Sequence, residues 1–415
     1  MNQRSKKIQF WGLNIASFLG QCAISMVNLA LVYYLRYTLN ASAGTIAYAA
    51  STYTSVYLVS CLLCSKIYQN FAPRIMVSLS VIGMALSVIA ISFTHSIPLV
   101  FLFLVFYGFT MSMLWPQMEA WITRGSEGAE LNKLTSSFNF SWSFGTGISP
   151  YLASMLVIVT PSLGLLGGAI IFFVIFLLIV ALSLNKEIRA IKPEADVIKS
   201  ADSSEDHSTP LRFDSYIAVF LVYSALSVVL NIFPLYTKEV LTISESTNGL
   251  LLLIRGIATC FAFIYFGSVS WWQFKFKYII GAEAIFVALL FIFAKSTSVL
   301  SLGLFMLLFG VIFSLCYNFS IFHAASGAID KGKRMMIHEC VLTVGQVIGV
   351  TIGGTIYEKL GYTNVLIVIA VIGIVFIISQ CTAYALRKKK STSKWGAYGP
   401  RWIWTTDLRV MSPQL

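Results

Sequence analysis

Charged residues are scarce in this sequence: Asp, Glu, Lys and Arg make up 11% of its 415 residues, whereas 57% are apolar. Because a soluble domain usually has about 25% charged residues, this composition excludes an ordinary soluble protein. All seven cysteines fall inside apolar stretches, so no disulfide framework is expected. The sequence has no recognisable nucleophile triad, phosphate loop, metal-ligand cluster or cofactor motif, which argues against an enzyme and predicts no cofactor.

The sequence instead contains twelve apolar stretches, each long enough to cross a bilayer. About 20 apolar residues span the hydrocarbon as a helix, which satisfies its own backbone hydrogen bonds there. We number the expected spans 1 to 12 in chain order, at 10–34, 43–64, 75–93, 97–120, 133–158, 163–184, 214–236, 246–268, 278–294, 298–322, 336–357 and 363–386. The sequence therefore predicts an all-α polytopic membrane protein.

The positions of the basic residues predict the orientation of these spans. If both termini are cytoplasmic, 24 of the 29 Lys and Arg lie on the inner side. Only four face outward, namely Arg36, Lys238, Lys295 and Lys359, and Arg255 lies within a span. Because basic flanks stay in the cytoplasm, both ends are predicted to be inside. The net charge of +12 is then explained by topology and by attraction to anionic lipid, so no nucleic-acid partner is expected.

The chain divides into two sets of six spans that resemble each other. Residues 106–122, FYGFTMSMLWPQMEAWI, align with residues 308–324, LFGVIFSLCYNFSIFHA, at a shift of 202. Shifts of 200 to 203 likewise relate spans 1 and 7, spans 2 and 8, and spans 5 and 11. We expect an N-terminal bundle at 1–184, a cytoplasmic linker at 185–212, a C-terminal bundle at 213–390 and a disordered cytoplasmic tail at 391–415. Parallel six-span repeats are an architecture of secondary transporters.

Two motifs make this arrangement resemble the major facilitator superfamily over about residues 8 to 390. SKIYQNFAPR at 65–74 is similar to the loop that braces the cytoplasmic face in that family, although Ser65, Gln69 and Ala72 replace its glycines and aspartate. SWSFGTGISPYLA at 141–153 resembles its small-residue run in span 5. The resemblance implies two pseudo-repeated bundles, with spans 1, 4, 7 and 10 lining a central path, helped by spans 2, 5, 8 and 11.

Polar and aromatic residues on these spans are the candidate solute site. On span 1, the spacing of Asn14, Ser17, Gln21, Ser25 and Asn28 places them on one helix face, as cavity lining or as contacts between helices. The expected substrate-binding residues are Gln21, Asn28, Trp115, Trp142, Asn231, Arg255, Tyr317 and Asn318.

Arg255 is the most specific of these candidates, because it lies near mid-depth of span 8. A charged arginine at a helix centre costs at least about 2.5 to 3.5 kcal/mol, so it is expected to face water, an anion or a carboxylate. We expect no acidic residue at the same depth. Arg255 therefore binds an anion or stacks on aromatics such as Trp142 or Tyr317; alternatively, it is a structural residue that caps backbone carbonyls.

Four ionisable residues near the inner ends of spans 4, 10 and 11 are candidates for coupling or gating: Glu119, His323, His338 and Glu339. Carboxylates at this level can bind protons as the halves rock, or they can pair with Arg124 or Lys333 at the interface. Glu283, on span 9, is expected to be structural or to reach toward the membrane surface.

The function that the sequence favours is secondary active transport of a small organic solute, anionic or amphipathic, by alternating access with possible coupling to protons. Two alternatives remain: a transporter-derived sensor or accessory protein without net transport, and a lipid flippase on the same scaffold. The expected location is a prokaryotic plasma membrane, as a monomer within the lipid bilayer. The sequence does not identify the solute or the direction of transport.

Overall fold

A computed structural model describes residues 2–68, 70–123, 128–189, 209–326 and 331–395. This part of the chain is helical without strands and contains twelve helices long and apolar enough to cross a membrane. The all-α prediction is therefore confirmed. The predicted 190–208 part of the linker and residues 396–415 of the tail lie outside the described residues.

The first six spans form the N-terminal half. Span 1 is Gln3–Tyr33 followed by a π-helical turn, Tyr34–Thr38. The others are Ala43–Tyr68, Pro73–Phe93, Ile97–Met111 with Trp115–Thr123, Gly128–Val159 and Pro161–Ser183. A short helix, Lys186–Arg189, follows span 6. Proline in the first turn suits the starts of spans 3 and 6, because that position needs no donor.

The last six spans form the C-terminal half. Span 7 is Leu211–Asn231 followed by a separate helix, Phe233–Glu239. Spans 8 to 12 are Glu245–Ser268, Phe276–Phe293, Val299–Ala325, Lys331–Leu360 and Tyr362–Trp395. Serine side chains cap the starts of spans 8 and 10. Span 12 extends to Trp395, beyond the boundary expected at 390.

Span 4 differs from the single helix predicted for 97–120. Its helix ends at Met111, turns through residues 112–114, and restarts at Trp115. Pro116 explains the break, since its ring would clash with the carbonyl of Ser112 in a continuous helix and it has no N–H to donate. Span 10 has Asn318 at the position equivalent to Pro116 and is continuous from Val299 to Ala325.

The sequence repeat is also present in the packing. In the N-terminal half, Gly108 of span 4 lies so close to span 2 that an added Cβ would be 2.3 Å from the carbonyl oxygen of Tyr53. In the C-terminal half, a Cβ on Gly310 would be 2.4 Å from the carbonyl oxygen of Arg255. The shift of 202 relates Gly108 to Gly310 and Tyr53 to Arg255. Tyr53 and Arg255 therefore occupy equivalent positions in the two halves.

The two halves meet along spans 2 and 11 and along spans 5 and 8. We call the end of the bundle where the chain enters span 1 and leaves span 12 the terminal end, and the other end the far end. Near mid-depth, Gly147 of span 5 crosses Gly256 of span 8, and a Cβ on Gly256 would lie 2.1 Å from the Gly147 Cα. Small residues thus allow close contact between the halves at this crossing.

Candidate functional site

A group of polar contacts closes the far end between the halves. Arg36, after span 1, donates to Glu239, after span 7, with Nε–Oε1 at 2.5 Å and Nη2–Oε2 at 3.2 Å. Lys238 lies 4.1 Å from the ring of Tyr37. Glu358 of span 11 accepts a 2.9 Å bond from the backbone N–H of Gly44. Closer to mid-depth, the hydroxyl of Ser51 on span 2 contacts that of Thr351 on span 11 at 2.5 Å.

The terminal end differs, because two carboxylates from opposite halves are accessible there. Glu119 ends span 4 and Glu339 lies on span 11; both side chains are solvent-exposed although spans of both halves surround them. They interact electrostatically with each other and with Tyr57 of span 2 and Tyr317 of span 10. Solvent-exposed side chains inside the bundle indicate a cavity between the halves. This cavity opens toward the terminal end.

Arg255 is the deepest charge at this site. Only 1% of the residue is exposed, and its Nε and Nη2 atoms are buried without a hydrogen-bond partner. Its electrostatic neighbours are Tyr223 of span 7 and Cys260. Among the described residues, no carboxylate pairs with it, as expected, and no ring stacks on its guanidinium. Buried donors without partners require an acceptor, and an anion is the strongest acceptor for a guanidinium.

Aromatic rings connect Arg255's surroundings to the cavity. Tyr317 lies edge-on to Trp142 of span 5 at 6.2 Å and to Phe263 of span 8 at 5.2 Å, and its ring is 6.2 Å from that of Tyr223. Trp142 donates from Nε1 to Asn139 at 3.0 Å. The structure therefore brings three of the predicted residues, Trp142, Arg255 and Tyr317, into one region of the interface.

The other predicted substrate residues are more dispersed. Gln21 and Asn28 are partly exposed, and Asn28 accepts a 3.0 Å bond from the Tyr53 hydroxyl. Asn231 is buried and donates to the Ser227 carbonyl at 2.8 Å. Trp115 packs edge-on against Phe138 at 6.2 Å. Asn318 donates to the Ser314 carbonyl and lines a cavity of about 450 Å³ at the terminal end of spans 8 and 10.

The polar face of span 1 does not act as a unit. Asn14 is buried, and its Oδ1 accepts bonds from Ser137 and Ser141 of span 5 at 2.9 and 3.0 Å. Ser17 is also fully buried. Asn14 thus joins spans 1 and 5 and the Ser17 hydroxyl has no hydrogen-bond partner, whereas Gln21 and Asn28 remain partly exposed. Periodicity places residues on one face but does not show how far a neighbouring helix covers it.

The two candidate histidines are buried within the C-terminal half. His323 contacts the Ser215 hydroxyl with Nδ1 at 2.8 Å and accepts the Phe274 backbone N–H at Nε2 at 3.1 Å. Nδ1 therefore carries the proton of a neutral ring. His338 contacts Ser320 with Nδ1 at 2.7 Å, and its Nε2 has no partner. Neither histidine is exposed to the cavity that Glu119 and Glu339 line.

Glu283 is fully buried between spans 9 and 12 and does not reach toward the membrane surface. Gln380 donates to its two carboxylate oxygens at 2.9 and 2.7 Å. Its position and its neutral partner favour the structural role expected from the sequence.

The loop that resembles the family's cytoplasmic brace uses neutral contacts at the residues described. The hydroxyl of Tyr68 contacts that of Ser112 at 2.8 Å and ties the end of span 2 to the break in span 4. Arg74 donates to the Arg189 carbonyl. Neither contact involves a carboxylate, in agreement with the replacement of the motif's aspartate by Gln69 in this sequence.

The candidate residues predicted from the sequence do not include Tyr57 of span 2 or Tyr223 of span 7. Tyr57 faces both cavity carboxylates, and Tyr223 interacts electrostatically with both Arg255 and Glu339. Their positions on spans 2 and 7, which the family resemblance assigns to the path, were the available signal.

Comparisons with known proteins agree with this arrangement. The family model described as Major Facilitator Superfamily matches residues 13–334. Comparison with curated protein sequences finds no match. The fold is similar to a POT family transporter in complex with a thioalcohol-conjugated peptide, with TM-score 0.71, 15% identity, and 90% of this chain and 95% of that chain covered.

Two further structures have the same fold. The nucleoside transporter NupG has TM-score 0.70 and 14% identity, with 91% of this chain and 99% of that chain covered. A bacterial homologue of the human lysosomal transporter Spinster, inward-facing and unoccupied, has TM-score 0.70 and 10% identity, with 93% and 97% covered. At these identities the likeness concerns the fold, whereas the family match spans most of the sequence. The chain is a member of the major facilitator superfamily.

Proposed function

We propose that this protein is a secondary transporter that moves a small organic solute carrying an anionic group, by alternating access between its two halves. The observation that carries this proposal is Arg255: its buried guanidinium, without a partner, lies near the cavity between the halves. The far end is closed by contacts such as Arg36 to Glu239, while Glu119 and Glu339 are accessible from the terminal end. This arrangement corresponds to one state of an alternating-access cycle.

The carboxylate Glu119 is the proposed coupling group. It ends span 4 beyond the Pro116 break and is exposed to the cavity, so its access to water changes if the terminal end closes. A proton bound there in one state and released in the other would couple solute flux to a proton gradient. We expect Glu119→Gln to retain exchange of solute across the membrane and to lose accumulation driven by a pH gradient.

The proposed location is a prokaryotic plasma membrane with both termini in the cytoplasm, and the proposed state is a monomer. Arg36, Lys238, Lys295 and Lys359, the four basic residues predicted to face outward, all lie at the far end. The basic flanks thus favour a cytoplasmic terminal end. The state described here would then be open to the cytoplasm.

Flux measurements on purified protein in liposomes test the proposal. Counterflow of labelled organic anions, amino acids, sugars and lipids should give a signal for solutes with an anionic group. Arg255→Ala should lower that flux at least tenfold, and Arg255→Lys should retain more of it because lysine keeps the charge but not the planar donor set. Binding without flux would instead indicate a sensor, and transfer of labelled lipid alone would indicate a flippase.

A further inference from the structure

The cavity holds charges of both signs within one connected group. Arg255 is a buried cation without an anion partner, and Glu339 is an exposed carboxylate on the facing span 11. Tyr223 interacts electrostatically with both of them, so both charges lie within range of its phenol. Tyr223 is 6% exposed, and its ring lies 6.2 Å from that of Tyr317, which interacts electrostatically with both cavity carboxylates.

Glu339 has no hydrogen-bond or ion-pair partner for its carboxylate among the described residues. Its backbone carbonyl accepts a 2.7 Å bond from Thr343, which fixes the helix but leaves the side chain free. The facing groups are the carboxylate of Glu119, the phenols of Tyr57, Tyr223 and Tyr317, and the thiols of Cys61 and Cys340. A cationic group of a solute would therefore complement the Glu339 carboxylate.

A simple anion would be a poor ligand for such a cavity. It would have to approach Arg255 from the terminal end, past Glu339, whose negative charge repels it. A simple cation would meet the carboxylates but would leave Arg255 without an anion. A solute with one group of each sign can pair with both Arg255 and Glu339, and its net charge is zero.

We propose that the substrate is dipolar, with an anionic group bound by Arg255 and an ammonium group bound by Glu339. This inference rests on the proposed function and specifies its substrate class. Because only 1% of Arg255 is exposed, the anion reaches the guanidinium when neighbouring side chains such as Tyr223 turn aside. The distance between the solute's two charges is set by the separation of spans 8 and 11.

A series of straight-chain ω-amino acids with one to seven methylenes tests the proposal. Each member is compared with the fatty acid and the alkylamine of equal chain length, as ligands for thermal stabilisation of the purified protein and as competitors in counterflow. At the best length, the dipolar compound should bind at least tenfold more tightly than either analogue. Fatty acids that bind as tightly as the amino acids would overturn the dipolar substrate but leave the transporter and its anion site intact.

Variants test the roles of Glu339 and Arg255 individually. Glu339→Gln should remove the advantage of the amino acid over the fatty acid, and Arg255→Lys should weaken amino acids and fatty acids alike. Glu339→Asp shortens this side chain by one methylene and should shift the best chain length toward a longer amino acid. An unfolded or merely weakened protein would not show this shift. If Glu339→Gln alters the pH dependence of flux and leaves the ligand preference unchanged, the carboxylate binds a proton and the proposal is wrong.

A different result would contradict the proposed function. If Arg255→Ala binds and transports every ligand as well as the original protein does, Arg255 does not bind the anionic group of the solute.

Discussion

At the scale of single residues, Arg255 and Glu283, both buried in the C-terminal half, differ in their partners. Arg255 has buried donors without acceptors, whereas Glu283 accepts two bonds from Gln380. A polar group that is satisfied within the protein stabilises the packing around it, and one that is not must be satisfied by a ligand or by water. This contrast supports a structural role for Glu283 and a binding role for Arg255.

The Glu283 pair gives a stability prediction. Gln380→Leu removes both bonds to a fully buried carboxyl group, so we expect a loss of about 1 to 3 kcal/mol in the free energy of unfolding. Thermal unfolding in detergent should show a lower midpoint for this variant. Ser379→Ala, which changes the exposed neighbour on the same helix, serves as the control and should stay near the original midpoint. An unchanged midpoint in Gln380→Leu would show that the pair contributes nothing to stability.

The sequence alone is enough to select Arg255 as a candidate, because an arginine near the centre of an apolar span is visible in the sequence and is costly there. It did not predict that Gln380 binds Glu283, since that requires knowing that spans 9 and 12 pack together. The division of the span 1 stripe into buried Asn14 and accessible Gln21 likewise depends on how span 5 lies against span 1. Contacts between distant spans are a property of tertiary packing, which hydropathy does not record.

At the scale of helices, the crossing of spans 5 and 8 depends on two glycines. Gly256→Ala places a Cβ where the backbone of Gly147 now lies, so the two helices must separate and the halves lose their closest contact. We expect at least a tenfold loss of counterflow with a lower unfolding midpoint. Gly267→Ala is the matched control on the same helix, because its added Cβ meets nothing within 4 Å. Equal behaviour of the two variants would contradict a role for this crossing.

The helices themselves were largely predictable, and the exceptions have local causes. Twelve apolar stretches gave twelve helices because lipid leaves the backbone no other way to satisfy its hydrogen bonds. Span 4 was predicted as one helix although Pro116 was visible in the sequence; the break begins at residue 112, one turn before the proline whose ring it accommodates. The end of span 7 breaks similarly before Pro234.

At the scale of the whole molecule, the two halves meet at the far end through equivalent positions. Arg36 and Glu239 are 203 residues apart, which is the shift that relates spans 1 and 7. Duplicated positions near a pseudo-twofold axis face each other, so identical charges there would repel. Here the two copies carry opposite charges, and their attraction favours the closed far end. The repeat was predictable from the sequence, whereas the end that closes depends on contacts between the halves.

This arrangement predicts that charge at positions 36 and 239 sets the balance between states. Both side chains are partly exposed, so the ion pair is worth only about 0.2 to 1 kcal/mol, enough to change the ratio of states by up to about fivefold. Arg36→Glu replaces attraction by repulsion and should open the far end. Spin labels on Thr38→Cys and Leu300→Cys, which lie at the far ends of opposite halves, should then report longer distances.

The exchanged pair, Arg36→Glu with Glu239→Arg, is the control for this change of state. It restores attraction between the two positions, so the short distances and the rate of counterflow should return toward those of the original protein. Because exposed charges are screened, 1 M salt should reduce the difference between the single variant and the exchanged pair. If Arg36→Glu leaves the distances unchanged at low salt, other contacts, such as Glu358 to Gly44, hold the far end closed. The charges at positions 36 and 239 would then not control the balance between states.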